Sequence, residues 1–513
     1  MNKRRNRLVP TLLCLALSLS LCACTAQAPQ TETPVVTLPP AEVSFVAPVG
    51  DAALEYTEEV SLFLPRHDGL RLVEEKVQIS FSPVRPYAES VVRALLAFTG
   101  NEAARAVGGD VKLTLYGTSP VEVSRSVVTV NLGASSLQLD RKDFYIACQS
   151  ITNTLVQLEG IDHVNILVAG KAVGLDIANT LPMGSLTENP SHDLSAVYAQ
   201  LLSRRPAEGE TVYDKAFSAD VTLYFPLASA EGMVAENRTV SFANLSFPDM
   251  VITILRQLAA GPEDPAIDSP ELPLLGELLT STPTLMEEAA GGQTLKLDFA
   301  HNLDDMLETY GLSRQQSMAS LCYTLCTFFP NLSGLRVTVE GAAVDPLLLT
   351  EETDGNAGEL FLRASFEDLL YDYVTLYLAN ESQTALCRVQ RPIPCYQSTS
   401  PRVLLKQLAL GPQPSDSVQG LKGLMAEGSI TDTTLLGLSL VDGTLLVNFS
   451  PALEQIGQGL SETAERLLAY GLVNTLCIDR HVSSVCFFQS GAQFDGFGSP
   501  LYWRGVFYPL PDE

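Results

Sequence analysis

The sequence predicts an α+β protein made of three tandem two-layer sandwich domains, in which two helices pack on a mixed sheet. Residues 221–262 open with V-T-L-Y-F-P and close with I-L-R-Q-L-A-A-G-P, and residues 374–412 repeat this order as V-T-L-Y-L and L-L-K-Q-L-A-L-G-P. A weaker copy begins at Val60 with V-S-L-F-L-P. The copies are spaced by about 150 residues, which is the length of a domain and not of a solenoid repeat.

The first strand of each unit is expected to be half-buried. In the second copy, Val221, Leu223 and Phe225 alternate with Thr222 and Tyr224. Because side chains alternate between the two faces of a strand, these two sets should lie on opposite faces, only one of them buried.

The first helix of each unit has its clearest ends in the third copy. Ser400 is a favourable N-cap, and Pro401 suits the first helical position because its missing N–H needs no partner there. A glycine in the left-handed conformation and a proline then stop the helix. These structural signature residues are Gly261 and Pro262 in the second copy, and Gly411 and Pro412 in the third.

The second half of each unit predicts a hairpin, a helix and a closing strand. Asp442-Gly443 separates two apolar alternating runs, as is typical of a tight turn, and Gly291-Gly292 holds the same place in the second copy. The unit therefore has the order β-β-α-β-β-α-β. Two helices are too few to cover both faces of a sheet, which indicates a two-layer sandwich.

This ordered set of motifs resembles the GerMN domain family. The motifs are V-T-L-Y-F, a helix ending in L-x-x-G-P, V-D/N-F-S, a helix with N-T-L, and a closing strand with glycine. They cover residues 60–170, 220–345 and 374–495, and the first copy is the divergent one because Thr99-Gly100-Asn101 replaces Gly-Pro. The resemblance implies a compact sheet with two helices, similar to the ring-building modules of sporulation proteins. It also implies a role in assembling the sporulation envelope complex and in spore germination.

The repeats set the expected domain boundaries. We predict domains at 56–180, 215–345 and 370–500, and a C-terminal tail at 501–513. Residues 194–204 should form a short connecting helix and residues 351–358 a loop.

The N-terminal residues 1–23 have the pattern of a bacterial lipoprotein signal peptide. A basic segment precedes an apolar run too short to span a bilayer, and this run ends in L-C-A-C. The pattern implies cleavage before Cys24 and lipid on its sulfur; in an ordinary secretory signal Cys24 would be incidental. Residues 24–55 are Pro/Thr-rich and should form an extended, unpacked tether. The predicted location is the outer face of the cytoplasmic membrane, with a lipid anchor.

The chain is strongly acidic. Acidic residues outnumber basic ones by 59 to 32, and the formal net charge is −27. Such a surface repels phosphate backbones and anionic headgroups, so nucleic acid and direct docking on lipid are disfavoured. A net negative charge also keeps an exported protein soluble.

Cysteines and histidines form no recognisable site in the sequence. Cys322 and Cys326 lie on an apolar helix and are expected to be core residues rather than metal ligands. Cys387 with Cys395, or Cys477 with Cys486, could close a disulfide. The histidines do not recur at matching positions of the repeat, and two of them are expected in solvated loops: His67 and His192.

No catalytic motif recurs across the copies. H-E-x-x-H, G-x-S-x-G and Walker motifs are missing from the sequence. Asp298 is matched by Asn131 and Asn448, and asparagine cannot act as a general base, so this solvent-facing position should be structural. We therefore predict a protein that is not an enzyme and takes no cofactor, metal or small-molecule substrate.

The predicted function is a non-enzymatic scaffold or binding protein of the bacterial envelope, with other envelope proteins as partners. Exposed strand edges are the expected contacts. The preferred edge is C-R-V-Q-R-P-I-P, since its prolines fit only at an edge or an end of a sheet. Its contact residues would be Arg388, Val389, Gln390 and Arg391. The alternatives are an accessory lipoprotein that modulates a sensor kinase and, with less support, a cell-wall hydrolase.

Overall fold

The same set of elements occurs three times along the polypeptide. The computed structural model describes residues 45–176, 178–288, 292–343, 360–397 and 400–511. The signal peptide, Cys24, the tether up to residue 44 and the predicted loop at 351–358 lie outside the described residues. The part from Val46 onward forms one compact unit.

The first repeat begins with a hairpin and ends in a four-stranded sheet. A short helix follows this sheet, where the sequence predicts a connecting helix. The elements are β1 (Tyr56–Pro65), β2 (Leu72–Phe81), α1 (Tyr87–Ala97), β3 (Val121–Ser124), β4 (Val127–Leu132), α2 (Arg141–Leu155), β5 (His163–Val168), β6 (Lys171–Ala172) and α3 (Leu194–Leu202).

The second repeat has the same order and a five-stranded sheet. Its elements are β7 (Phe217–Pro226), β8 (Met233–Phe242), α4 (Phe247–Ala259), β9 (Thr284–Glu287), β10 (Gln293–Phe299), α5 (Leu303–Thr309), α6 (Arg314–Phe328), β11 (Leu332–Val339), β12 (Ala342–Ala343) and β13 (Leu360–Leu362).

The third repeat has the same sheet topology as the second. Its elements are β14 (Tyr371–Ala379), β15 (Leu386–Pro394), α7 (Pro401–Ala409), β16 (Leu435–Val441), β17 (Thr444–Phe449), α8 (Leu453–Gly457), α9 (Glu462–Leu476), β18 (Ser484–Gln489), β19 (Ala492–Gln493) and β20 (Val506–Phe507).

Each four- or five-stranded sheet is mixed, with one parallel pair at its centre. The parallel pairs are β4 with β5, β10 with β11, and β17 with β18, and the remaining pairs are antiparallel. Parallel neighbours need a crossover connection, which α2, α6 and α9 provide. These helices also pack on the first strand of the preceding hairpin. The predicted α+β fold class, with repeated small mixed sheets packed against helices, is confirmed.

The structure contains the helix start and the hairpin turn that local sequence signals predict. Ser400 accepts a hydrogen bond from the N–H of Val403 at the start of α7, and Pro401 is the first residue of this helix. Asp442 and Gly443, between β16 and β17, have φ values of 47° and 75°. Two successive left-handed residues suit a two-residue hairpin turn, which explains the Asp-Gly pair.

Each repeat also includes a return segment that pairs with its closing parallel strand. Leu186 forms a bridge with Val164, Phe361 pairs with Leu335, and Phe507 pairs with Val485. The predicted domain ends at 180, 345 and 500 stop before these residues. In the third repeat the return segment is the predicted tail, where Trp503 is buried and donates a hydrogen bond to Glu465.

The opening strand of the second repeat is not half-buried as predicted. Thr222 is only 2% exposed and Tyr224 only 1%, and Leu223 between them is fully buried. Thr222 contacts Asn165 of the first repeat, with 2.9 Å between the two side chains. Tyr224 packs against Tyr323 of α6, with 5.0 Å between the ring centroids. The face predicted to meet solvent is therefore covered by a helix and by the neighbouring repeat.

The three repeats build two hydrophobic cores. One core combines apolar residues of the first and third repeats, and the other belongs mainly to the second repeat. Residues that begin the first repeat also contact the third. Gly50 exchanges backbone hydrogen bonds with Leu436 and Leu438, and the Asp51 carboxylate pairs with Arg402 at 2.6 Å. The last part of the predicted unpacked tether is thus bound to the edge of β16.

Candidate functional site

The threonine of the N-T-L motif, which reads Y-T-L in the second repeat, makes the same contact in all three repeats. Its Oγ1 accepts a hydrogen bond from a backbone N–H in the first strand of the hairpin. The N–H groups belong to Phe63, Tyr224 and Tyr377, and they lie 2.9, 3.1 and 3.1 Å from Thr154, Thr324 and Thr475. Because these N–H groups face a helix and not another strand, the threonine supplies the partner that a buried donor requires.

The aspartate or asparagine in the fourth strand of each repeat is also structural. Its side chain accepts a hydrogen bond from the N–H of the glycine that ends the closing strand. The pairs are Asn131 with Gly170 (2.9 Å), Asp298 with Gly341 (2.8 Å) and Asn448 with Gly491 (3.2 Å). The predicted exposure is wrong for Asn448, which is buried and also donates to the Pro48 carbonyl.

The Gly-Pro helix stops are held by buried arginines in the second and third repeats. Helices α4 and α7 end just before Gly261 and Gly411, whose φ values are 75° and 67°; Pro262 and Pro412 follow. The Gly411 carbonyl accepts a hydrogen bond from Arg391 at 2.6 Å, and the Gly261 carbonyl accepts one from Arg238 at 2.9 Å. Val77 has this strand position in the first repeat, which lacks Gly-Pro.

The predicted interaction edge on β15 is largely closed. Val389 is fully buried, and Arg391 is 2% exposed because it pairs with buried Asp416 at 2.6 Å. The backbone of Gln390 makes hydrogen bonds to the backbone and hydroxyl of Ser417, both at 2.9 Å. Of the four predicted contact residues, only Arg388 has an exposed side chain.

Arg388 lines a groove that the sequence does not predict. The groove lies between α9 and the end of the β14–β15 hairpin and has a volume of about 670 Å³. Its walls include Tyr377, Leu386, Arg388, Arg466, Tyr470 and Asn474. At one end Asn474 binds the backbone N–H and carbonyl of Leu510, at 2.9 and 3.2 Å. We call this cleft the third-repeat groove.

Comparison with known proteins identifies the family. The family model described as Germane: Sporulation and spore germination matches residues 61–174 and 375–493, in the first and third repeats. This is a GerMN-domain protein. The matched ranges include the first repeat, which the motifs rank as divergent, and leave out the second.

Solved structures similar to this chain include two of GerMN domains and one of a candidate lipoprotein. The tandem GerMN domains of the sporulation protein GerM from Bacillus subtilis share 19% identity, with 60% of this chain and 98% of that chain covered and a TM-score of 0.23. The first GerMN domain of the same protein shares 18% identity over 28% and 95%, with a TM-score of 0.20. A candidate lipoprotein from Clostridium perfringens shares 16% identity over 27% and 87%, with a TM-score of 0.18. No curated protein gives a significant match.

The three GerMN-like repeats meet at the turn between β3 and β4. The Ser124 hydroxyl donates to the Tyr371 carbonyl of the third repeat at 2.7 Å and accepts from the Ala235 N–H of the second at 2.9 Å. The next residue, Arg125, forms an ion pair with Asp264 of the second repeat. One turn of the first repeat therefore bonds to both other repeats.

A cavity of about 320 Å³ lies beside this turn, between the first and third GerMN domains. The Asp372 carboxylate lines it and accepts hydrogen bonds from the N–H groups of Arg125 (2.9 Å) and Tyr373 (2.8 Å). Burial raises the pKa of Asp372 to about 6, although these hydrogen bonds and the nearby Arg125 charge oppose the shift. Glu159 is the other carboxylate in the lining of this cavity.

The boundary between the first and third repeats also includes a histidine contact that the sequence did not predict. His481 lies between two carboxylates, with Nε2 2.9 Å from Glu58 and Nδ1 2.7 Å from Asp479, and its ring stacks on Tyr56. Burial by itself would raise the pKa of Glu58. Hydrogen bonds, including the one from His481, and the charge of Arg480 instead hold this pKa below its usual value. Asp479 is close to His481 in the sequence, but Glu58 belongs to the first repeat, so no local spacing predicts this contact.

The remaining predicted chemistry concerns cysteines, loop histidines and metal. The seven described cysteines are unbonded, so neither candidate disulfide is formed, and Cys322 and Cys326 are core residues as predicted. His67 is exposed as predicted, whereas His192 packs on Phe63. Within the described residues, no cluster of histidine, cysteine or carboxylate side chains could hold a metal ion, and no helix is long and apolar enough to cross a membrane.

Proposed function

We propose that this GerMN-domain protein is a non-enzymatic binding protein of the bacterial envelope, anchored by lipid on Cys24 at the outer face of the cytoplasmic membrane. Its role is to hold other envelope proteins together during sporulation or spore germination. The family match, described as sporulation and spore germination, supports this setting. The L-C-A-C sequence at residues 21–24 supports the anchor.

One observation carries the non-enzymatic part of the proposal. The polar residues that recur in the repeats make hydrogen bonds within their own repeat. The threonine binds the hairpin, and the aspartate or asparagine binds the closing turn. Catalytic groups repeated for function would instead converge on a cleft where substrate can reach them.

The joining of the repeats favours a scaffold. Ser124 bonds the first repeat to both others, and the buried Arg363 guanidinium pairs with Glu122 of the first repeat. Residues from the first and third repeats share one core. A binding protein with joined domains presents its surfaces in a constant arrangement and loses less entropy on association.

Genetic complementation in the native host tests this function. Deleting the gene should lower the yield of heat-resistant spores or slow their germination, and the intact gene should restore both. Cys24→Ala should release the protein from membranes and fail to restore them. A normal deletion phenotype with an altered kinase regulon would favour the sensor-kinase alternative. Peptidoglycan hydrolysis that one carboxylate substitution abolishes would overturn the proposal.

A further inference from the structure

The third-repeat groove has a filled counterpart in the first repeat. In both repeats the asparagine of N-T-L binds one backbone residue of the return segment through its N–H and carbonyl. Asn153 binds Asn189 at 3.1 and 2.9 Å, as Asn474 binds Leu510. The return segments therefore lie along equivalent helices and reach the same point.

Beyond this point the first repeat fills its groove with its own chain. The N–H of Leu72, at the end of the hairpin, donates to the His192 carbonyl, and the N–H of Leu194 donates to the Leu70 carbonyl, both at 2.9 Å. Helix α3 then follows, with Leu194 buried and Tyr198 stacked on Tyr145 of α2 at 5.1 Å. The occupant is thus a short extended stretch that leads into an amphipathic helix.

The third repeat keeps the walls of this groove, and no described residue fills it. Leu386 has the hairpin position of Leu72, since each pairs with the last residue of the preceding strand. Arg466 has the helix position of Tyr145, because both stand eight residues before the N-T-L asparagine. Both Leu386 and Arg466 line the open groove.

The charge of the groove differs between the two repeats. Arg388 has the strand position of Glu74, so two arginines replace a glutamate and a tyrosine. Both Arg388 and Arg466 have exposed side chains, and among the described residues Glu462 is the one acidic member of the lining. On a chain with a net charge of −27, this is a local positive surface.

We propose that the third-repeat groove binds an acidic segment of a partner envelope protein. The segment pairs through its backbone with the hairpin at Leu386 and continues as a short amphipathic helix along α9, as residues 190–202 do in the first repeat. Its acidic side chains meet Arg388 and Arg466. This proposal rests on the proposed binding function and names the surface that performs it.

A peptide copied from the first repeat provides a defined probe. Residues 186–202 are synthesised with Tyr198→Glu, which places a carboxylate opposite Arg466, and as a matched Tyr198→Gln peptide. Fluorescence anisotropy measures binding of each peptide to the full-length chain in detergent. Arg466→Glu and Arg388→Glu reverse the groove charge, and Lys142→Glu, at an exposed position of α2, is the matched control.

The expected result is tighter binding of the Tyr198→Glu peptide than of the Tyr198→Gln peptide, by about 5-fold. Arg466→Glu should reverse this preference, Arg388→Glu should weaken it, and Lys142→Glu should leave it unchanged. Equal affinities for all variants, or no binding at millimolar peptide, would overturn the proposal. So would a dimer of the chain that Arg466→Glu dissociates, because the occupant would then be a second copy.

The two proposals fail in different ways. If the peptide does not bind but gene deletion impairs sporulation, the envelope function stands and another surface performs it. If the peptide binds as expected but deletion has no effect on spores, the groove stands and the sporulation setting is wrong.

Discussion

The first and third repeats share one core but use their common fold differently. Both keep the threonine and asparagine contacts that join the second helix and closing turn to the rest of the unit. Only the third has a buried arginine at the helix stop, and only the first fills the groove beside its second helix. Contacts that both repeats share build the common unit, whereas contacts found in only one repeat adapt that repeat.

The edges of the two repeats illustrate this adaptation. The turn beside β3 in the first repeat bonds to the second and third repeats through Ser124. The equivalent strand of the third repeat, β16, instead receives residues 48–51 along its edge. Strand edges expose unpaired backbone groups, so each repeat covers them with whichever neighbour is available.

The largest expected effect concerns the buried arginine at the helix stop of the third repeat, which the first repeat lacks. Arg391→Leu should lower the free energy of unfolding by about 3–5 kcal/mol, because it leaves the Asp416 carboxylate buried without its partner. Denaturant unfolding measures the loss. Since the first and third repeats share a core, hydrogen exchange should also become faster in β1.

Arg388→Leu is the control for this substitution, since its side chain lies on the same strand but is exposed. It should change stability by no more than about 0.5 kcal/mol. Equal effects of the two substitutions would show that the buried pair does not stabilise the third repeat.

The boundary between the two repeats should respond to pH through Asp372. Its folded-state pKa, about 6, is above the ordinary value of 3.8, so the folded state retains a proton that the unfolded state loses. Stability should therefore fall as pH rises from about 4 to about 6, by roughly 2–3 kcal/mol. Asp372→Asn should remove this fall, and unfolding curves at several pH values measure it. An unchanged pH profile would assign the dependence to other groups.

The shared threonines should contribute similarly in each repeat. Thr154→Val and Thr475→Val each remove the acceptor of a buried backbone N–H and should cost about 1–2 kcal/mol. Thermal unfolding compares them with Thr463→Val at an exposed position of α9. A loss confined to one repeat would mean that the common contact is not equally needed.

The smallest effect concerns the segment bound to β16. Asp51→Asn weakens the ion pair with Arg402 and should cost about 1 kcal/mol or less, because both side chains are partly solvent-exposed. The N–H of Leu438, which bonds to Gly50 and Asp51, should exchange faster. Protection equal to that of the unchanged chain would indicate that the backbone hydrogen bonds alone hold residues 48–51.

The sequence predicted what depends on local chemistry. Repeat order, helix ends at Ser400 and Pro401, the Asp442-Gly443 turn and the apolar faces of the second helices follow from backbone preferences and hydrophobic spacing. The structural role of Asn131, Asp298 and Asn448 followed from comparing copies, since a residue that changes between acid and amide cannot share one catalytic task.

The surfaces were decided only by the tertiary structure. Thr222 and Tyr224 are buried because another repeat and a helix cover the face that alternation leaves for solvent. Arg391 is buried because Asp416 and the end of α7 surround it, although a charged residue directly before a proline suggests an edge. Periodicity describes one element at a time, whereas burial and open grooves depend on which distant segments pack together.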